Sequence, residues 1–125
     1  MKTTWLIFGL FLSFLGKNNL CEDCLTAEEA AKHIGETVKI QAKVAHIYTG
    51  VFGNSPIMYF NLDKKFPQNP LALRIEAENQ AKFADKKKYE GKTVIVTGKV
   101  YLQENEYTPK PCMRVANPEE VEVLN

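Results

Sequence analysis

The residues best able to do chemistry are three cysteines, two histidines and, beyond the apolar N-terminal run, one serine. Cys21-Glu22-Asp23-Cys24 has CxxC spacing, but no strand-then-helix context precedes it, and the two intervening acids raise thiol pKa values. No histidine follows Cys24, so this is not a haem attachment motif. Cys112 lies far downstream, and His33 and His46 complete no ligand spacing, so no metal is expected. Ser55 stands beside Pro56 without the glycines of a nucleophile elbow, and HExxH, P-loop and GxGxxG motifs are missing. No catalytic constellation stands out and no cofactor is implied. The reading therefore leans away from an enzyme.

In an oxidising compartment two of the three thiols would pair. One arrangement, Cys24 to Cys112, clips the start of the domain to its last strand. A Cys21–Cys24 bridge or free thiols are the alternatives.

Binding candidates come from outward strand positions. Lys39, Gln41 and Lys43 alternate along one strand. Tyr59 and Asn61 share one face of the next, with Met58 and Phe60 on the other, and Arg74 faces away from Leu73 and Ile75. Aromatic platforms beside cations suit single-stranded nucleic acid, at about 1–3 kcal/mol per stacked base. The competing view is that any half-exposed sheet shows such alternation. Lys86-Lys87-Lys88, flanked by Asp85 and Glu90, reads as a solvated helix face.

Charge tempers the nucleic-acid reading. Lys plus Arg total 16 against 15 Asp plus Glu, a formal net charge of +1. Strong nucleic-acid binders usually carry a clear basic excess, because the phosphate backbone supplies most of their affinity.

The elements that must position these residues begin after a leader. Lys2 precedes the apolar run Trp5–Leu15, the build of a secretory signal peptide and well short of the ~20 residues that span a bilayer. Residues 1–20 are therefore read as the leader and 21–125 as one domain without a transmembrane segment, periplasmic or secreted. Lipid attachment at Cys21 is a minor alternative, since Asn18-Asn19-Leu20 lacks the small residues such signals use.

In the domain, Thr26 and Glu29 form a capping box for a short helix that Gly35 ends. A first strand, Glu36 to Tyr48, alternates until Val44 and then slips, the sign of a bulge or bend. Thr49 to Pro56 reads as a loop, Ile57–Leu62 as strand two, and Leu71–Glu76 as strand three. Asn79–Tyr89 reads as a helix anchored by Phe83. Lys92–Leu102 and Pro111–Val115 are strands four and five, separated by a turn at Glu104–Glu106, with a short apolar end at Val121–Leu124. The expected fold is mainly β: a five-stranded OB-fold-like barrel with a short N-terminal helix and a helix between strands three and four. An α+β sandwich is the competitor.

The stretch from Thr26-Ala27-Glu28-Glu29 to Thr37-Val38, a helix running straight into a strand, resembles small bacterial OB-fold nucleic-acid-binding-like domains of exported or nuclease-associated proteins. Phe83 through Tyr89-Glu90-Gly91 to Gly98-Lys99-Val100 resembles that family's entry to strand four. The resemblance covers nearly the whole mature chain and implies a ligand surface across strands two and three, with no catalytic residue. The expected function is an exported, non-enzymatic OB-type binding module for single-stranded nucleic acid or another polyanion. Oligosaccharide and protein are further partner classes that the scaffold accommodates. The alternative is a protein-interaction or structural module using the Val51-Phe52 loop and an exposed edge strand.

Overall fold

The computed structural model describes residues 21–103 and 109–124. The leader expected at 1–20 and the turn expected at Glu104–Glu106 lie outside the described residues. Among those described, no helix is long and apolar enough to cross a membrane.

The domain opens on one helical turn, α1 (Ala27–Ala30), set by its cap. Glu29 N–H donates to Thr26 Oγ1 at 3.0 Å, and Thr26 N–H donates to Glu29 Oε1 at 2.9 Å. The expected helix through Ile34 stops early because the chain is drawn onto a strand. Gly35 N–H donates to the Val100 carbonyl at 2.7 Å, and Val100 N–H returns to Glu36 at 2.9 Å. Ala27 and Ala30 are fully buried, so the turn serves as a plug for the core.

Strand β1 (Thr37–Phe52) has 16 residues and two partners. Its first half, Thr37 to Lys43, pairs antiparallel with β4 (Thr93–Gln103). Its second half, from Val44, pairs antiparallel with β2 (Ser55–Leu62), and the register shifts between Val44 and His46. The slip in alternation after Val44 is this bulge, which re-aims the strand. The expected loop at Thr49–Pro56 is mostly ladder: Phe52 pairs with Ser55, and only Gly53 and Asn54 turn. Gly53 takes φ +65°, the left-handed backbone that such short hairpins require.

Strand β3 (Leu71–Glu76) pairs antiparallel with β2 and parallel with β5 (Lys110–Arg114). Between β3 and β4 the expected α-helix is replaced by two 3₁₀ segments, Ala77–Phe83 and Lys86–Lys88. Phe83 and Tyr89 both pack on Phe60, with ring centroids 6.0 and 5.2 Å away. On one straight α-helix, residues six apart would point roughly 120° from each other. The connector breaks to aim both rings inward.

After β5, the 3₁₀ turn Pro118–Glu120 leads into β6 (Val121–Leu124), which pairs antiparallel with the first part of β4. The ladders thus run β1–β2–β3–β5–β4, and β4 also pairs with β6 and with the first half of β1. The expected five-stranded OB-type barrel is corrected accordingly. Six strands form, their directions are mixed, and the antiparallel sheet β1–β4–β6 is open. β6 is one edge of that sheet; the first half of β1, bridged by Leu25 opposite Ile40, is the other. The apolar end at Val121–Leu124 is a strand because its ladder with β4 supplies partners that four residues lack alone.

The core lies between these layers. Ile40, Val94 and Val96 are buried together with Phe60, Leu73 and Ile75, and Val38 packs against them. Gly98 in mid-β4 has a packing reason: a Cβ there would stand 3.2 Å from Met113 Cε. Phe83→Ala is expected to lower unfolding free energy by about 3–5 kcal/mol. Urea denaturation of the mature protein, read by circular dichroism, measures the loss.

Candidate functional site

A set of polar and aromatic side chains lies across β2, β3, β5 and β4. Pairing register builds it. Tyr59 sits opposite Arg74, and Arg74 opposite Arg114. One row along, Asn61 pairs with Ala72, Ala72 with Cys112, and Cys112 with Tyr101. Strand alternation sends these side chains away from the core that Phe60, Leu73, Met113 and Val100 fill.

A single carboxylate ties the first row together. Glu76 Oε2 accepts from Arg74 Nε at 2.9 Å and from Arg114 Nε at 3.3 Å. Arg74 Nη1 also donates to the Tyr59 hydroxyl at 2.5 Å. Each guanidinium lies over a ring: Arg74 is 5.5 Å from the Tyr59 centroid, and Arg114 is 4.5 Å from that of Tyr101. Burial opposes the charge of Arg74, but its bond to Glu76 and the nearby Tyr59 outweigh that, leaving its pKa above the ordinary arginine value. Arg114 differs in exposure, with 64% of its side chain open to solvent. Lys99, Tyr101 and Arg114 line a hollow of about 360 Å³ beside it.

The far end of the face is roofed by the β2–β3 loop. Asn69 Nδ2 donates to Asn61 Oδ1 and to the Leu71 carbonyl, both at 3.2 Å. Lys110 Nζ donates to the Pro67 carbonyl at 2.6 Å and stands 6.0 Å from the exposed Phe66 ring. Asn61 is therefore a buried brace for that loop.

The sequence candidates divide into two groups. Tyr59, Asn61 and Arg74 belong to this face; Lys39, Gln41 and Lys43 lie on the first half of β1, against β4. Lys39 lies 3.9 Å from Asp23 and lines a hollow of about 300 Å³ with Glu119, Glu120 and Glu122. Gln41 Oε1 accepts the Cys21 N–H at 2.9 Å, and Lys43 is exposed near Asp63, which accepts its backbone N–H. The expected polyanion surface is thus corrected: Lys39 is ringed by acids and Arg74 is engaged by Glu76 and Tyr59. A phosphate chain needs cations that are not already neutralised.

The expected Cys24–Cys112 bridge is also corrected. Cys21 and Cys24 form the disulfide, and Cys112 is buried on β5. The bridge takes both thiols of the Cys21-Asp23-Cys24 group, the one set of potential metal ligands gathered among the described residues. His33, expected late in the first helix, lies beyond α1, with its Nδ1 3.1 Å from Glu36.

No protein-family model matches this chain, and no curated protein is significantly similar to it. The resemblance to OB-fold nucleic-acid-binding-like domains is therefore corrected as well, the six-stranded mixed sheet and its open β1–β4–β6 layer being the structural ground.

Glu76, Lys99, Tyr101 and Arg114 were missed from sequence. Arg114 follows an inward Met113, and Glu76 follows Arg74 by two residues on the same strand face, so phase alone could have flagged both. Tyr101 offers a pH test. Burial, reinforced by Cys112 and offset in part by Arg114 and Arg74, pushes its phenol from 10.0 up to about 12. The folded state holds this proton where the unfolded chain has released it. The resulting stability is complete below pH 10.0 and is lost as pH rises towards about 12. Tyr101→Phe should flatten that alkaline decline, as followed by thermal melts across the range.

Proposed function

We propose that this chain is a non-enzymatic protein-interaction module, exported by its leader, with the β2–β3–β5–β4 face as its contact surface. The observation that carries the reading is the pair of Tyr–Arg stacks, Tyr59 with Arg74 and Tyr101 with Arg114, joined through Glu76. Tyrosine and arginine dominate the energetic centres of protein interfaces, because each buries a large area and still makes directed polar contacts. Here the rings are held in place by ladder register and Arg74 is almost fully buried, so little side-chain freedom remains to be lost on contact. The exposed Phe66 ring beside Lys110 adds an apolar margin at one side.

Export draws support from the Lys2 and Trp5–Leu15 leader and from the Cys21–Cys24 disulfide, which persists in oxidising compartments. The test is site-specific photo-crosslinking of the full chain in the cells that produce it. A benzophenone amino acid at position 99 should yield an adduct with a discrete protein, lost in Arg114→Ala, whereas one at position 87 should not. Absence of a protein adduct at 99, or equal labelling from both positions, overturns the reading.

A further inference from the structure

The antiparallel sheet β1–β4–β6 has two edges, and only one of them is covered. At the β1 edge Leu25 N–H donates to the Lys39 carbonyl at 2.8 Å, and Gln41 N–H donates to the Leu25 carbonyl at 3.0 Å. Asp63 then holds both backbone groups of Lys43: its Oδ1 accepts the N–H at 3.2 Å, and its own N–H donates to the carbonyl at 2.7 Å. The β6 edge has no such cover among the described residues.

Alternation decides which groups of β6 are open. Val44 N–H donates to the Lys92 carbonyl and Val100 N–H to that of Glu36, so the even-numbered residues of β4 bond β1 and the odd-numbered ones face β6. Glu122 and Leu124 stand opposite Ile95 and Thr93 and take those bonds. Val121 and Val123 therefore turn their backbone groups to the free edge. Val121 N–H is used on the Pro118 carbonyl. The Val121 carbonyl and both groups of Val123 are left without a partner among the described residues. An open N–H and C=O on one residue match an antiparallel strand, which exchanges two bonds with it.

Side chains beside this edge select the occupant. On the outer face Glu119, Glu120 and Glu122 line the hollow of about 300 Å³, whose cation, Lys39, lies 3.9 Å from Asp23. On the inner face Val123 packs half-buried against the core. An added strand alternates in the same way: the residue opposite Val123 meets apolar surface, and the next one meets Glu122. A second copy of this chain would bring another Glu122 to the same face, where like charges oppose pairing.

We infer that β6 is a docking edge for an extended segment of a protein partner, which joins the sheet antiparallel with an apolar side chain opposite Val123 and a lysine or arginine opposite Glu122. This edge is separate from the β2–β3–β5–β4 face, and the inference does not rest on that reading.

NMR titration of the nitrogen-15-labelled mature protein with the peptide Lys-Val-Lys-Val-Lys tests it. The amide signals of Val121–Leu124 should shift, with the Val123 amide gaining protection from hydrogen exchange. Glu-Val-Glu-Val-Glu should bind at least about tenfold more weakly. Methylating the backbone nitrogen of both peptide valines removes the donors and leaves every charge, and it should abolish the shifts. Val123→Pro should also abolish them while the domain still folds, because that N–H bonds nothing in the sheet and an edge position tolerates proline.

Equal binding of the methylated peptide would mean general charge attraction and overturns the inference, whether or not Val123→Pro folds. Shifts confined to other residues overturn it, and so does a failure of Lys-Val-Lys-Val-Lys to bind. Sedimentation supplies the last outcome: a dimer of the mature protein that Val123→Pro dissociates would make a second copy the occupant and overturn the basic-segment assignment.

Discussion

The structure depends on β1 being one strand with two partners. Its first half pairs with β4 and its second half with β2, and the bulge between Val44 and His46 turns it from one sheet to the other. A strand of 16 residues that ran straight would carry one end out of any domain of this size. Bent at the bulge, it buries Ile40 and Val44 in the same core as Ile47. Val44 is also fixed through its backbone, donating to Lys92 at 2.8 Å and accepting from Gly91 at 2.7 Å. Those bonds set where β4 begins. The start of β4 in turn sets the register that brings Tyr101 beside Cys112.

Electrostatics on the surface follow from the same pairing. The chain carries nearly equal numbers of acids and bases, and the fold pairs them locally instead of gathering cations into a stripe. Glu76 serves two arginines at once, and Asp23, Glu119, Glu120 and Glu122 lie around Lys39. The face therefore offers short-range, directed contacts. That suits recognition of a shaped protein surface better than capture of a long phosphate chain, whose affinity grows with the number of unneutralised cations.

The connector between β3 and β4 shows how packing overrides local preference. A lysine-rich segment with one apolar anchor reads as an amphipathic helix, yet both Phe83 and Tyr89 must reach Phe60. Their spacing is wrong for a single α-helical face, and burying two aromatic rings outweighs the helix hydrogen bonds of so short a segment. Two 3₁₀ turns are the outcome, with the lysines of the second left in solvent.

What the sequence by itself determined is whatever a residue's near neighbours dictate. The capping box at Thr26 and Glu29, the alternation in β1 and the break at Val44, the bounds of β3 and the inward set Leu71, Leu73 and Ile75 were all legible, because period and cap chemistry act within a few residues. Only the tertiary structure decided which strand lies beside which, that Val121–Leu124 completes a sixth strand, that Cys21 joins Cys24, and that Lys39 and Arg74 belong to different surfaces. Backbone ladders carry no label of their partner, and Arg74 is 40 positions from Arg114 although they are adjacent in register. Cross-strand neighbours are fixed by the best joint burial of the whole core, and no window of sequence contains that sum.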